Sequence, residues 1–255
     1  MLFLVGSPIG NLGDITFRAL EVLKKVNIVA VEDTRRSSIL LKHYEIGKPL
    51  ISFHEHNEAR RTSELIKRLR SGESIALLTD AGMPSISDPG YRLVRASIES
   101  GIRIEVIPGP SAVLTALVGS GLPTDRFYFG GFLPVKSGQR QRELVAALAR
   151  EFTSVYFESP HRIVRSLEVI SSVEPTRLVC VARELTKQFE EYQRGAASVV
   201  LAHYVTHPPR GEITFLIGGS KRLTAKARPL HHVDVAPSPT LMPLNLAGLR
   251  RGLAR

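Results

Sequence analysis

Asp80 and Asp88 stand in two tight acidic turns, Asp80-Ala81-Gly82 and Asp88-Pro89-Gly90, that directly follow the apolar run over residues 75–78. A plain strand-to-helix connector needs about two to six residues. The stretch over residues 80–90 is longer and stiffened by Pro84 and Pro89, as a loop shaped to hold a ligand would be. Two more Gly/Pro-rich segments share this character, "GSPIGNLGD" from Gly6 and "PGPSA" from Pro108. The first lacks the Gly-Lys-Ser/Thr ending of a P-loop, and Gly6, Gly10 and Gly13 miss the G-x-G-x-x-G spacing of a dinucleotide site. Pro8, Pro84, Pro89, Pro108 and Pro110 also remove amide donors that a pyrophosphate would need. The chemistry expected of these loops is capture of a ligand that is not a polyphosphate. Glu32 and Asp33 end a second apolar run, where a nucleoside-binding Rossmann domain keeps its ribose-binding acid. Taken alone, that pair reads as an ordinary Rossmann-type methyltransferase or dehydrogenase; the prolines and the glycine spacing argue against it.

These residues need a scaffold, and the first half of the chain repeats one rhythm. Short apolar or β-branched runs at 2–5, 28–31, 50–53, 75–78 and 102–107 read as strands. Between them, residues 16–26 place Phe17, Leu20 and Leu23 on one helical face, with Asp14 as cap. Residues 58–70 turn Leu65, Ile66 and Leu69 inward ahead of Gly72, and residues 91–100 do the same with Leu93, Val94 and Ile98 ahead of Gly101. Alternation at this spacing predicts an α/β fold with a parallel, doubly wound sheet. Ligands bind such sheets at the carboxyl ends of the strands, and all three Gly/Pro loops leave strands at that edge.

The rhythm changes after Pro123 and the Gly130-Gly131 pair, which mark a hinge near residues 119–126. Strands at 127–129, 154–157, 178–181 and 213–217, with a helix at 140–150, predict a second, smaller mixed-sheet α/β domain. The expected organisation is an N-terminal domain over residues 1–119, a C-terminal domain over 120–219 and a basic, Pro-rich tail over 220–255, with a cleft between the domains.

Composition narrows the class. The 255 residues are 43% hydrophobic, enough for real cores, and carry a net charge of +10. Much of that charge lies in the tail, where Lys221, Arg222, Lys226, Arg228, Arg250, Arg251 and Arg255 face Asp234 alone. Such a tail reads either as a site for an anionic partner, nucleic acid first, or as a plain solvated end. Cys180 is the single cysteine, which excludes an intrachain disulfide and a cysteine zinc site, and its apolar setting reads as a buried, inert thiol. His231 and His232 lack further ligands, so no metal is expected. With no ~20-residue apolar stretch and no basic leader before its first apolar run, the chain reads as a cytoplasmic protein with no membrane partner.

The motifs "VGSPIGNLGDIT", "VEDTRRS", "SFHEHNE", "DAGMPSISDPGYRLV", "IPGPSAV", "SGLPTDRF", "GFLP", "ESPHRI" and "ARELTKQFEE" occur in order across residues 5–195. This series resembles the small-subunit ribosomal RNA methyltransferase I family, within the tetrapyrrole-methylase-like class of S-adenosylmethionine (SAM) enzymes. The resemblance implies a two-domain homodimer that methylates the ribose 2′-oxygen of a cytidine in the decoding region of 16S rRNA in the small ribosomal subunit. It also implies SAM as methyl donor, held by main-chain contacts at Gly82, Met83 and Ile86. Met83 stands where the family pattern has Thr, and Arg210 where Lys is common. Pro8, Leu12, Pro84, Phe157 and Glu158 are expected in the pocket wall. The amides of Ser111 and Ala112 are expected to face the donor's carboxylate or an adenosine oxygen. Gly211 and Ile213, in the "GEITF" motif, are expected to close over adenine.

A sulfonium methyl is already activated, so the protein must mainly hold the ribose oxygen in line with it and accept a proton. Asp33, His54, His56 and Asp88 are the possible bases, with Asp33 and His56 chosen; an unperturbed imidazole is largely neutral at cellular pH. The histidines of "FHEH" could equally brace a neighbouring loop, and Asp33 could orient Arg35. Arg35, Arg36, His54, Asn57, Asp88, Arg162 and Lys187 are the expected RNA contacts. The alternative function is methylation of a tetrapyrrole (corrinoid) precursor on the same scaffold. A non-catalytic RNA-binding module is the reading from another class.

Overall fold

The computed structural model describes residues 1–220; the expected basic tail, beyond Ser220, lies outside them. Five strands, β1 (Leu2–Val5), β2 (Ile28–Val31), β3 (Leu50–Ser52), β4 (Ile75–Leu78) and β5 (Ile104–Ile107), form one parallel sheet in the order β3-β2-β4-β1-β5. β2 and β4 are buried throughout, which is why their sequences are unbroken apolar runs rather than alternations. The helices α1 (Phe17–Lys25), α2 (Thr34–His43), α3 (Glu58–Arg70) and α4 (Tyr91–Glu99) cover both faces. Val5, Ala76 and Leu78 pack with Ala19, Leu23, Leu40 and Leu41 on one side. Leu4, Ile75 and Leu77 pack with Leu65, Ile66, Leu69 and Leu93 on the other.

Three local expectations are corrected. Thr16, not Asp14, caps α1, its side chain accepting from the Ala19 amide at 3.1 Å, while Asp14 ends a short 3-10 turn. Phe17 is 68% exposed and Ile98 66% exposed, so both face away from the core. α1 buries Leu23 as expected, but with Ala19 rather than Phe17 beside it, a face rotated from the one chosen by side-chain size. β5 also begins two residues later than expected, at Ile104.

The next helix, α5 (Ala112–Ser120), ends at Gly121, which takes the left-handed conformation (φ 75°). A second sheet follows, built from β6 (Phe127–Phe132), β7 (Thr153–Glu158), β8 (Leu178–Arg183), β9 (Glu191–Ala196) and β10 (Ile213–Ile217), in the order β6-β7-β10-β8-β9. β6 runs parallel to β7, and the other pairings are antiparallel, so the sheet is mixed. One face packs on α6 (Ser137–Ala149), α7 (Ile163–Val173) and α8 (Ala197–Thr206), through Leu144, Ala147, Leu167, Ile170, Val200 and Tyr204. The other face packs on α5, where Val113, Ala116 and Leu117 join Val155, Cys180, Ala182 and Leu216 in one core. Helix α5 thus leaves the first sheet and embeds in the second. Burial pushes the Cys180 thiol up to about 12, in keeping with an inert side chain. Among the described residues no helix is long and apolar enough to cross a membrane.

Candidate functional site

The three Gly/Pro loops do meet at the carboxyl edge of the first sheet. Ser7 and Gly82 exchange backbone hydrogen bonds, Ser7 N–H to Gly82 O at 2.9 Å and Gly82 N–H to Ser7 O at 3.1 Å. The Gly6 amide donates to Ile107 O at 3.1 Å, joining the β1 loop to the end of β5. No room for a side chain remains there, since a Cβ on Gly6 would lie 2.8 Å from the Met83 sulfur and 2.7 Å from the Gly109 Cα. Gly82 has φ 77°, a conformation that favours glycine. Within the 80–90 loop Ser85 (φ 71°) and Ser87 (φ 62°) are also left-handed, each at a cost of about 1–3 kcal/mol. Glu58, in the first turn of α3, holds the end of this loop by accepting from the amides of Gly90 (3.0 Å) and Arg92 (3.3 Å).

Above this floor and against the second sheet lies a cleft of about 480 Å³, within the usual range of about 300–1,000 Å³ for small-molecule sites. The floor loop contributes Gly82, Met83, Ile86 and Asp88; the head of α5 contributes Ser111 and Ala112; the second lobe contributes Phe157, Glu158, Gly211 and Ile213. With Arg36, which also lines it, eleven of the sequence-chosen residues are thereby brought to one space. Ser111 caps α5 through its hydroxyl, which accepts from the Leu114 amide at 3.4 Å, leaving first-turn amides available to an anionic group. On the opposite wall the buried Glu158 accepts from the Ser159 amide (2.7 Å), the Ser166 hydroxyl (2.9 Å) and Arg162 (2.7 Å). Glu158 and Ile213 face each other across β7 and β10, so strand pairing fixes that wall.

Five carboxylates line the cleft: Glu158 and Glu212 on the second lobe and, on the side of the first sheet, Glu32 after β2, Asp80 after β4 and Asp88 in the floor loop. Burial, then the charges of Glu32 and Asp80, raise Asp88 to about 7, while a hydrogen bond with Thr79 opposes the shift. Burial and the neighbouring Asp80 also hold Glu32 above the ordinary carboxylate range. Arg36 is the cation nearest Asp80, with Nη1 3.5 Å from Oδ2. Lined by carboxylates, this floor suits a cationic ligand and repels a polyphosphate. The cationic sulfonium, adenosine and amino-acid end of the donor implied by the resemblance fit such a lining.

Several expected site residues lie elsewhere. Pro8 and Leu12 border a smaller neighbouring pocket rather than the cleft, because the β1 loop turns toward α2. Pro84 is buried outside the cleft lining. Asp33 is the N-cap of α2: its carboxylate accepts from the Arg35 amide at 2.8 Å and pairs with the Arg35 guanidinium at 3.1 Å. These hydrogen bonds hold it below the usual carboxylate range, which makes it a weak base. His54, His56 and Asn57 also stand outside the cleft lining. Asn57 stitches their turn, its Oδ1 accepting from the His54 amide at 2.9 Å and its Nδ2 donating to Ser52 O at 3.2 Å. Exposed His56 packs edge-on against His54 at 5.9 Å. Arg162 and Lys187, chosen as free cations, are both engaged by carboxylates. Arg162 pairs with Glu158, and Lys187 with Glu184 (3.0 Å) and Glu212 (2.9 Å). Sequence reasoning passed over Asp80, although it opens the acidic turn, and Phe132, an exposed aromatic after the Gly130-Gly131 pair that lines the cleft.

Residues 1–200 match the family model of the tetrapyrrole (corrin/porphyrin) methylases. A ribosomal RNA small subunit methyltransferase I of Mesorhizobium japonicum is 49% identical over 219 residues, covering 85% of this chain and 74% of that protein. One from Thermotoga maritima is 44% identical over 221 residues, 86% of this chain and 99% of that one. Among solved structures, uroporphyrin-III C-methyltransferase from Thermus thermophilus, complexed with S-adenosyl homocysteine, superposes with a TM-score of 0.60 at 18% identity. That match covers 85% of this chain and 96% of the other. The cleft, its glycine-floored loops and the sequence relatives agree: this chain belongs to the tetrapyrrole methylase family and, within it, to the ribosomal RNA small subunit methyltransferase I group.

Proposed function

We propose that this chain transfers the methyl group of SAM to the ribose 2′-hydroxyl of a cytidine in the decoding region of 16S rRNA. The observation that carries the reading is the acidic, main-chain-lined cleft between the two sheets, in a chain whose 44–51% identical relatives are ribosomal RNA small subunit methyltransferases. When bound, SAM supplies a methyl group already activated by its sulfonium centre. Gly82, Met83 and Ile86 offer the floor against which the donor lies, and the head of α5 offers amides to its carboxylate. Phe157 and Ile213 exclude water from the opposite side. Asp88 is the proton acceptor we assign for the 2′-hydroxyl. It borders the cleft, and its carboxyl, raised to about 7, is poised for proton transfer at neutral pH. Asp88 is assigned here in preference to Asp33 and His56, the bases chosen from sequence, which stand outside the cleft lining.

A tetrapyrrole precursor is the competing substrate. The solved tetrapyrrole methylase above shares only 18% identity with this chain, against 49% for the Mesorhizobium RNA methyltransferase. The deciding experiment supplies labelled SAM with either undermethylated small ribosomal subunits or a corrinoid precursor. Label in a single 2′-O-methylcytidine of the 16S rRNA is expected; label in the corrinoid alone would reject the proposal. The homodimer implied by the family resemblance is part of the same proposal. It is supported by exposed apolar residues, Leu114 and Val118 on α5 and Val106 on the open edge strand β5, and sedimentation velocity tests it.

A further inference from the structure

Beside the cleft lies a second, smaller pocket of about 140 Å³, between the β1 loop and the first turns of α2. Its walls include Pro8, Leu12, Ile39 and Leu40, with Ser7, Ser37 and Thr79 also in the lining, and its charged edge is formed by Arg36 and Asp80. Those last two residues border the large cleft as well, so the two spaces meet across one Arg–Asp pair.

We propose that this pocket receives the base of the nucleotide whose ribose is methylated, and that it selects cytosine. The inference rests on the RNA methyl transfer proposed above. Size restricts the occupant first. An apolar cavity of about 150 Å³ accepts benzene, so a pocket of this volume takes one six-membered ring and excludes the fused rings of a purine. Apolar walls suit the faces of such a ring, and the polar edge suits its rim. A carboxylate accepts a hydrogen bond from the cytosine N4 amine. Uracil would instead turn its O4 acceptor toward Asp80, leaving two acceptors opposed.

The valences of the pair leave room for this. Asp80 Oδ1 accepts from the Asp33 amide at 3.1 Å, which orients the carboxylate. Its Oδ2 stands 3.5 Å from Arg36 Nη1, long for a hydrogen bond, so both groups retain capacity for a ligand. The Arg36 side chain is largely exposed and free to donate to the cytosine O2 or N3. Sequence-specific recognition of RNA reads unstacked bases. A pocket next to the reaction space stabilises the extruded base. Within this reading Arg36 and Asp80 determine specificity, and Leu12 and Ile39 gate the ring.

Two variants test the inference. Ile39 is mostly exposed, so Ile39→Trp fills the pocket mouth without entering the core. Asp80→Asn replaces an acceptor-only group with one that also donates. Each is assayed for SAM affinity by calorimetry, and for kcat/KM on undermethylated small subunits carrying either C or U at the methylated position. Ile39→Trp is expected to bind SAM within about twofold of wild type and to lose about tenfold or more in kcat/KM on RNA. Asp80→Asn is expected to lose about tenfold of the preference for C over U. Wild-type RNA activity in Ile39→Trp, or an unchanged C-over-U ratio in Asp80→Asn, would overturn the pocket alone. Should Asp80→Asn be inactive on both RNAs, the Ile39→Trp result decides. A wild-type protein that methylates no RNA would reject the underlying function, and the pocket proposal with it.

Discussion

The Cα of Gly109 lies where a side chain on Gly6 would have to go: a Cβ built on Gly6 stands 2.7 Å from it. A Cβ on Gly109 would likewise stand 2.9 Å from the Cα of Gly6. The loops after β1 and β5 are therefore packed backbone to backbone, and the cleft floor depends on both residues being glycine. Gly6→Ala must push backbone apart, not a flexible side-chain tip. It is expected to destabilise the protein by about 1–3 kcal/mol and to weaken SAM binding at least tenfold. Thermal unfolding and calorimetry check the two halves of that statement.

Gly82 gives a different outcome. A Cβ there has ordinary contacts, 3.7 Å to Ile9 and to the Pro110 carbonyl, so space is available but the left-handed backbone is not. Gly82→Val is expected to abolish measurable SAM binding while circular dichroism remains native. A native spectrum with unchanged affinity would remove the floor loop from the donor site.

Asp88 links catalysis to pH. With a carboxyl at about 7, kcat/KM for methyl transfer should rise with unit slope below pH 7 and level off above it. Asp88→Asn should be slower by about 10²–10⁴-fold with that inflection gone. In Glu32→Gln the inflection should move to lower pH, because a like charge that raises Asp88 is removed.

Stability tests the same group independently. The folded state of Asp88 holds its proton to a higher pH than the ordinary value of 3.8. Its favourable contribution is thus complete below about pH 4 and is lost as pH rises toward about 7. Asp88→Asn should therefore melt above wild type at pH 8, with the gap closing near pH 4. A gap that is constant across this range would mean that the carboxyl titrates normally.

Arg162 and Glu158 make the wall of the second lobe a structural ion pair. Side-chain exposures of 19% and 0% place both mostly out of water. Arg162→Ala leaves a buried carboxylate without its cation and should cost about 3–5 kcal/mol. Loss of RNA affinity with unchanged stability would restore Arg162 as an RNA contact. The tail offers the contrasting case: removing residues 220–255 should weaken RNA binding more than SAM binding, most of all at low salt.

The floor of the site was legible because its residues are chosen by backbone demands that few side chains meet. Gly82, the prolines around it and the Ser111 cap announce their conformations in their residue types. β2 and β4 were equally plain, since burial on both faces leaves no polar residue to interrupt them. Phase was harder than period: α1 has the right repeat, yet small Ala19 occupies the buried position and large Phe17 the exposed one. Edge strand β9, "EYQRGA", carries polar side chains that hide it from any hydrophobic pattern. α2 was missed because its first turns are charged and polar, although Asp33 is its cap. Charge pairing was the least readable feature. Arg162 and Lys187 look like free cations in sequence, and their carboxylate partners at Glu158, Glu184 and Glu212 become neighbours only through turns and strand pairing.

Helix α5 has its first residues in the cleft, while Val113, Ala116 and Leu117 are sealed into the core beneath the second sheet. Tyr192 and Arg194, both on β9, fasten it further by donating to Thr115 O at 3.1 Å and, at 3.0 Å, to Gly119 O. It is a beam of the second half, and Ile9 of the β1 loop is sealed into the same core, so swinging the halves apart would mean pulling that residue from its socket. Molecules must come and go through the mouth that folding leaves open, and turnover should depend on the residues at that entrance instead of on any large opening motion.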